Sequence, residues 1–487
     1  MNKEDDIDVL VVGCGAAGLS AAVAAQEGGA RVCVLERSPK SERGGNTRHT
    51  GSYIRMKSKA EVSDDFEEHF AANAGGYIDP TLIADVSLDP KTWSPALKAL
   101  SFVDPNVISK LAQEAPPTLA WLEGFGLRFD PLEVAFPTSV QPRITPNGGG
   151  FAIVETLATR FEEQGGTIVY DTAAQSLIVD EAGAVKGVRA VGPGNRPVEI
   201  RTGSVILASG GFQGNAEMMN RYIGPRAILV RAMSLGCHYN KGEGIRMALD
   251  IGAAPCGDFG SFHASPMDPR SKRAGPSIHC YNYGILVNKR GQRFTDEGPG
   301  TNDETYESVT REIFAQPDGI AWTILDQKLD DLPSKAIAIR TEQPPIEAAT
   351  IPEMAAKLGL PAEILVRTVE HYNAACPKGR TWDMRRVDGL STEGLVPRKS
   401  NWAMPLDKPP YRAYPIVSSI VFTFGGLKTD VAARVLNTQG EPIPGLYAAG
   451  ETQGLYYGTY TGATSVLKGL VFGRLAGRDA AALGGAR

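Results

Sequence analysis

The chain has 487 residues, a formal net charge of −5, 42% hydrophobic residues and 22% charged residues. That length exceeds what one core usually supports and implies two or three domains, while the mildly acidic balance leaves no electrostatic footprint for nucleic acid. The six cysteines (Cys14, Cys33, Cys237, Cys256, Cys280, Cys376) are scattered without a Cys-x-x-Cys pair, which argues against haem attachment, iron–sulfur clusters and structural zinc and fits a reducing compartment. No metal ligand set is therefore expected.

The first apolar stretch, Ile7 to Ala25, follows Glu4, Asp5 and Asp6 and is interrupted by glycines, so it reads as neither signal peptide nor membrane span. A cytoplasmic protein without membrane contact is expected. Within it, Ile7 to Val12 forms a short β-branched run, followed by Gly13, Gly15 and Gly18 and then an alanine-rich segment. This is the order of a buried parallel strand, a tight turn and a helix whose N-terminus faces a pyrophosphate. Arg31 to Glu36 supplies a second strand ending in an acid, and Glu36 is placed to hold a ribose hydroxyl pair. The reading is a dinucleotide site in an α/β, Rossmann-like domain.

Arg43-Gly44-Gly45-Asn46-Thr47 then begins a loop that runs through His49 and Gly51 to Ser52, and its glycines and small hydroxyl residues can bring backbone amides against a flavin. Here the sequence resembles the fumarate reductase and succinate dehydrogenase flavoprotein superfamily. The histidine that tethers FAD covalently in some members falls on Asn46, so the resemblance implies non-covalent FAD, and His49 is read as a surface or loop residue. The same resemblance implies cofactor contacts at Ala16, Ala17, Arg37, Gly51 and Ala174.

Ile54 to Arg128 is helical in pattern, clearest at Asp64 to Asn73 and Thr118 to Glu123. Gly148 begins another helix, Gly166 to Tyr170 and Val185 to Arg189 read as strands, and Ser204 to Phe212 reads as a buried strand ending in Ser209, Gly210 and Gly211. Residues 1–232 and 408–487 are expected to form the FAD-binding domain, with an inserted α+β capping domain over 233–407. The phrases around His263 to Asp268 and Arg293 to Glu297 resemble the tricarballylate dehydrogenase branch. Near the C-terminus, Gly450-Glu451 and the run from Ser465 and Val466 to Phe472-Gly473-Arg474 match the superfamily. There a helix starting near Ser465 would aim amides at the flavin edge.

Carried over residue by residue, the superfamily's dicarboxylate grip is mostly altered. His263 matches one histidine, the other falls at Val421 or Phe422, the proton-transfer arginine falls at Thr301 or Asn302, and the second arginine falls on Tyr460. Removing guanidinium groups disfavours a dicarboxylate, because a buried carboxylate without its ionic partner costs several kcal/mol. The Tyr460 to Gly462 phrase resembles the 3-ketosteroid dehydrogenases, in which a tyrosine and a glycine amide hold a ketone. Tyr281, Tyr283 or His263 is then the candidate base, and Arg143 a candidate for a single carboxylate.

These features imply an FAD-dependent dehydrogenase that introduces a C=C bond next to the carbonyl of a small or cyclic keto compound or keto acid, reoxidised by oxygen or a separate carrier. A polycarboxylate enzyme and a flavin-binding electron carrier are the rival readings.

Overall fold

A computed structural model describes residues 7–74, 80–86, 88–132, 142–332 and 335–484. Glu4, Asp5 and Asp6, used in the sequence reading, lie outside the described residues. The strand Ile7–Val12 is central: Val9, Leu10 and Val11 are fully buried, and the strand pairs in parallel with Val32–Leu35 on one side and Arg196–Leu207 on the other. The sheet continues through Thr167–Val169 at one edge and through Pro442–Ala448 and Arg434–Leu436 at the other. A strand buried on both faces has no polar side to show, which is why this run lacks alternation.

Helix Ala16–Glu27 follows the first turn, and helix Ser465–Gly484 packs alongside it. Small residues allow the approach: a Cβ at Gly473 would stand 2.2 Å from the Ala17 carbonyl oxygen, and one at Gly477 2.2 Å from that of Ala21. Between Ile54 and Arg128 the helices Phe66–Asn73, Pro95–Ala99 and Pro105–Glu123 form, together with a hairpin, Met56–Ser58 against Glu61–Val62, that the helical reading passed over.

A second sheet of six strands is built on Tyr411–Thr423, which pairs with Arg231–Ala232, Phe262–Met267, Ile320–Leu325 and Ile346–Ala348, while Ile285–Asn288 pairs with Ile320–Leu325. Helix Asn302–Ala315 packs on this sheet and starts with a capping box between Thr301 and Glu304. The spine strand thus lies beyond residue 407, in the stretch that the sequence reading returned to the FAD-binding half.

Among the described residues, no helix is long and apolar enough to cross a membrane. Gly18 tests the first turn most directly, because a Cβ there would stand 1.9 Å from the Gly13 carbonyl oxygen. Gly18→Ala is expected to destabilise the protein by about 1–3 kcal/mol, read as a lower urea midpoint with unchanged slope.

Candidate active site

Two cavities meet where the first sheet faces the second. The first runs over the opening turn and is lined by Gly13, Gly15, Ala16 and Ala17, by Glu36 and Arg37, and by the loop Gly44, Gly45, Asn46 and Thr47. Ala174, Ser209, Gly210, Gly450, Glu451, Ser465 and Val466 complete the set expected from the sequence. Gly18 and Gly211 do not reach it. Gly18 lets the helix lie on the turn, and Gly211 makes room for Glu451 and Thr423, whose oxygens would each stand 2.1 Å from a Cβ there. Gly51 lines the second cavity instead.

The first cavity fits a dinucleotide. Glu36 accepts from the backbone N–H of Cys14 at 2.9 Å and of Ser38 at 2.7 Å, which holds its carboxylate at the end of the second strand. The Ser209 hydroxyl is buried in the wall with no protein partner, and a Cβ at Gly15 would meet no protein atom closer than 3.6 Å. A ligand with hydroxyl and phosphate oxygens satisfies both. Thr172, Asn240, Glu243 and Lys468 also line this cavity and were not anticipated.

The second cavity, about 270 Å³, shares Asn46, Val421, Ser465 and Val466 with the first. It brings together four of the expected site residues: His263, Asn302, Tyr460 and Gly462, with Arg143 as a fifth. Arg143 forms an ion pair with Asp303; its side chain is 8% exposed and its Nε is buried without a partner. His263 Nε2 is 2.5 Å from the Tyr306 hydroxyl, while Nδ1 of His263 and of His279 are both buried and unpartnered.

Several expectations need correcting. Tyr281 and Tyr283 do not line the cavity. The Tyr281 hydroxyl accepts from Asn302 Nδ2 at 3.2 Å, and the Tyr283 hydroxyl donates to the Met384 carbonyl at 2.6 Å, so both belong to the core packed on the second sheet. Burial pushes both phenols far up, and neither side chain reaches the cavity. Asn302 itself is spent on that interior, donating also to the carbonyl of His279 and to Asn282 Oδ1. Phe422 lines the first cavity, its ring in edge contact with His263 and Tyr460. His49, read as a surface or loop residue, is half-buried at the end of the loop turn Thr47–His49 and lines the second cavity.

Tyr460 lines the cavity, yet its hydroxyl donates to Ser465 Oγ and accepts from the amides of Thr464 and Ser465, each at 3.0 Å. The start of the last helix has unsatisfied N–H groups, and the phenol oxygen is the acceptor within reach. Its proton is therefore directed to Ser465 and not into the cavity. Tyr306, His279, Asp303 and Arg340 were missed. The spacing of Asn302, Asp303 and Tyr306 on one helical face was the available signal.

The family profile described as FAD binding domain matches residues 8–467. The chain belongs to this family of FAD-dependent flavoproteins. It is 29% identical to NADH:acrylate oxidoreductase of Vibrio harveyi over 99% of its length, spanning 51% of that protein, and 28% identical to 4-oxocyclohexanecarboxylate 2-dehydrogenase of Sinomonas cyclohexanicum, covering 97% of this chain and 92% of that one. Among solved structures, the open conformation of a flavocytochrome c3 fumarate reductase matches with a TM-score of 0.76 and 26% identity, over 99% of this chain and 79% of that one. The chain spans about half the length of the Vibrio relative, and its likeness to these proteins sets it in the fumarate reductase and succinate dehydrogenase flavoprotein superfamily.

In this flavoprotein burial favours the neutral forms of the histidines and of Tyr306 in the second cavity. Burial and the nearby Arg311 take His263 down to about 3, burial and Arg340 take His279 down to about 3, and burial raises the Tyr306 phenol well above its usual range. His49 is lowered as well, by burial and by Arg48.

The two buried imidazoles make stability depend on pH. The unfolded chain binds their protons first, so the contribution is complete above about pH 6.5 and is lost as pH falls toward 3. Urea unfolding at stepped pH is expected to show a loss of up to about 1.4 kcal/mol per pH unit for each histidine, and His279→Gln is expected to flatten that slope.

Proposed function

We propose that the protein desaturates the bond next to the carbonyl of a small keto compound carrying one carboxylate, and catalyses the reverse reduction. The charge of the second cavity carries this reading. Of the charged residues among its described lining, Arg143 is matched by Asp303, and Arg340 adds one positive charge while the histidines stay neutral. One cation suits one carboxylate. A second carboxylate would enter without a partner, at a cost of several kcal/mol. The likeness to the Sinomonas 4-oxocyclohexanecarboxylate 2-dehydrogenase supports the same class.

Bound FAD supplies a hydride acceptor or donor. The chain's own groups handle the oxygen and the proton. Arg143 offers its open Nε to the carboxylate, with Gly462 opposite: a Cβ there would stand 2.9 Å from the Arg143 guanidinium. A substrate carbonyl is met by Ser465, whose hydroxyl proton is free once its oxygen accepts from Tyr460, and by the unpartnered imidazole edge of His263. Tyr306 exchanges the α-proton: as its oxygen takes a proton from carbon, its own proton passes to His263 Nε2, and the reverse transfer restores the carbon.

Anaerobic mixing with a cyclic keto monocarboxylate is expected to bleach the flavin at least tenfold faster than mixing with the ketone lacking the carboxylate. Arg143→Gln should erase that preference; equal rates in the unmodified enzyme would remove the proposal. Tyr306→Phe is expected to lower turnover about 10²- to 10⁴-fold, with Tyr281→Phe and Tyr283→Phe near normal.

FAD is held without a covalent bond in this reading. Asn46 offers an amide that donates to the Val421 carbonyl at 2.8 Å and accepts from Ser234, and it has no imidazole to alkylate. Acid precipitation should leave all the flavin in the supernatant; yellow colour in the pellet contradicts it.

A further inference from the structure

Lys468 lies on the last helix, is 2% exposed and lines the FAD cavity. Its ammonium group donates to the Gln453 carbonyl at 2.6 Å and stands 4.9 Å from the centre of the Tyr456 ring. A carbonyl and a ring face partly replace the lost water, but among the described residues no carboxylate lies within ion-pair distance. A fully buried amine that borders a redox cofactor and has no ionic partner needs a reason.

The surrounding groups leave the amine responsive to charge. The turn Gly450–Thr452 brings Glu451, which lines the same cavity and accepts from the Thr423 amide at 2.8 Å and from Gln213 and Asn240. The strand Pro255–Cys256 brings the Cys256 thiol, and the loop beyond brings the Tyr456 phenol. Helix Ala16–Glu27 turns its alanines toward the last helix, and its one acid, Glu27, is bonded to Trp121 at the far end. Strands Ile7–Val12 and Arg196–Leu207 present aliphatic side chains where they meet the last helix. Burial lowers Lys468 to about 7, against the opposing pull of Glu451 and Cys256, while burial raises Glu451.

We propose that Lys468 takes up one proton from solvent as the bound flavin gains two electrons, and releases it on reoxidation. The donor gives up a hydride, that is two electrons and one proton; the negative charge left beside the helix is met by the proton added to the amine. On reoxidation the two electrons pass to the acceptor, the hydride's proton leaves to the acceptor or to water, and the amine returns its own proton to water. The consequence is a flavin whose potential depends on pH more steeply than hydride uptake alone requires. This goes beyond the proposed keto acid reaction and rests only on FAD binding.

The test is the midpoint potential of the FAD-bound protein, without substrate, titrated between about pH 7.5 and 9. Each proton taken up with two electrons adds about 30 mV per pH unit, the value of a tenfold change in the equilibrium constant. The unmodified protein is expected to follow the two-proton slope, and Lys468→Met the one-proton slope with bound FAD. Lys468→Gln repeats the measurement with a polar side chain of similar length. Identical slopes for the unmodified protein and either variant overturn the proposal. If neither variant holds FAD, a one-proton slope in the unmodified protein overturns it alone.

Discussion

Three consecutive residues at the end of the strand Tyr411–Thr423 hold the two cavities in register. The Val421 carbonyl accepts from Asn46 on the flavin loop, the Phe422 ring packs against His263 and Tyr460, and the Thr423 amide donates to Glu451. Alternation along the strand explains why one short segment can do all this: successive residues point to opposite faces, while their backbone groups point sideways to neighbouring loops. The same strand is the spine of the capping sheet. A shift of one residue would exchange the faces of Val421 and Phe422 and separate the cavities.

The seam is also where the protein accumulates neutral polar groups. Tyr460 caps the last helix, and its backbone amide donates at 3.0 Å to Glu307, a buried acid raised by burial and bonded to Arg311. Arg311 in turn reaches the Phe262 and Gly458 carbonyls. The capping helix and the loop before the last helix are therefore joined by a network whose charges cancel. A site enclosed in this way keeps a low local dielectric, which strengthens whatever hydrogen bond an imidazole edge offers to an entering oxygen.

The cofactor half was legible in the sequence because its signals are local. Gly13 to Gly18 and Glu36 lie within one strand–helix–strand unit, where each residue's role follows from its neighbours. The second cavity was legible only in part. Arg143 and Asp303 are 160 residues apart, and the sequence alone offers no reason to join them. Tyr281 and Tyr283 looked like candidates because they adjoin a capping strand, but the turn Cys280–Tyr283 points them into the sheet's own core. Tyr306 stood one helical turn beyond the residue under scrutiny and was overlooked, although Asn302 and Tyr306 share a face by spacing alone.

The departures from the superfamily pattern share one physical character. Asn46, Thr301 or Asn302, and Tyr460 stand where a histidine and two arginines are expected by resemblance, and all send hydrogen bonds into the protein: Asn46 to Val421, Thr301 to Glu304, Asn302 to Asn282 and Tyr281, Tyr460 to the start of the last helix. A guanidinium cannot simply be deleted from an enclosed site, since the anion it served would be left unpaired. Replacing it with a side chain that satisfies itself removes the demand for that anion altogether. The positive charge that remains unmatched among the described lining is Arg340's, with Arg143 held against Asp303, and both lie on other segments of the chain.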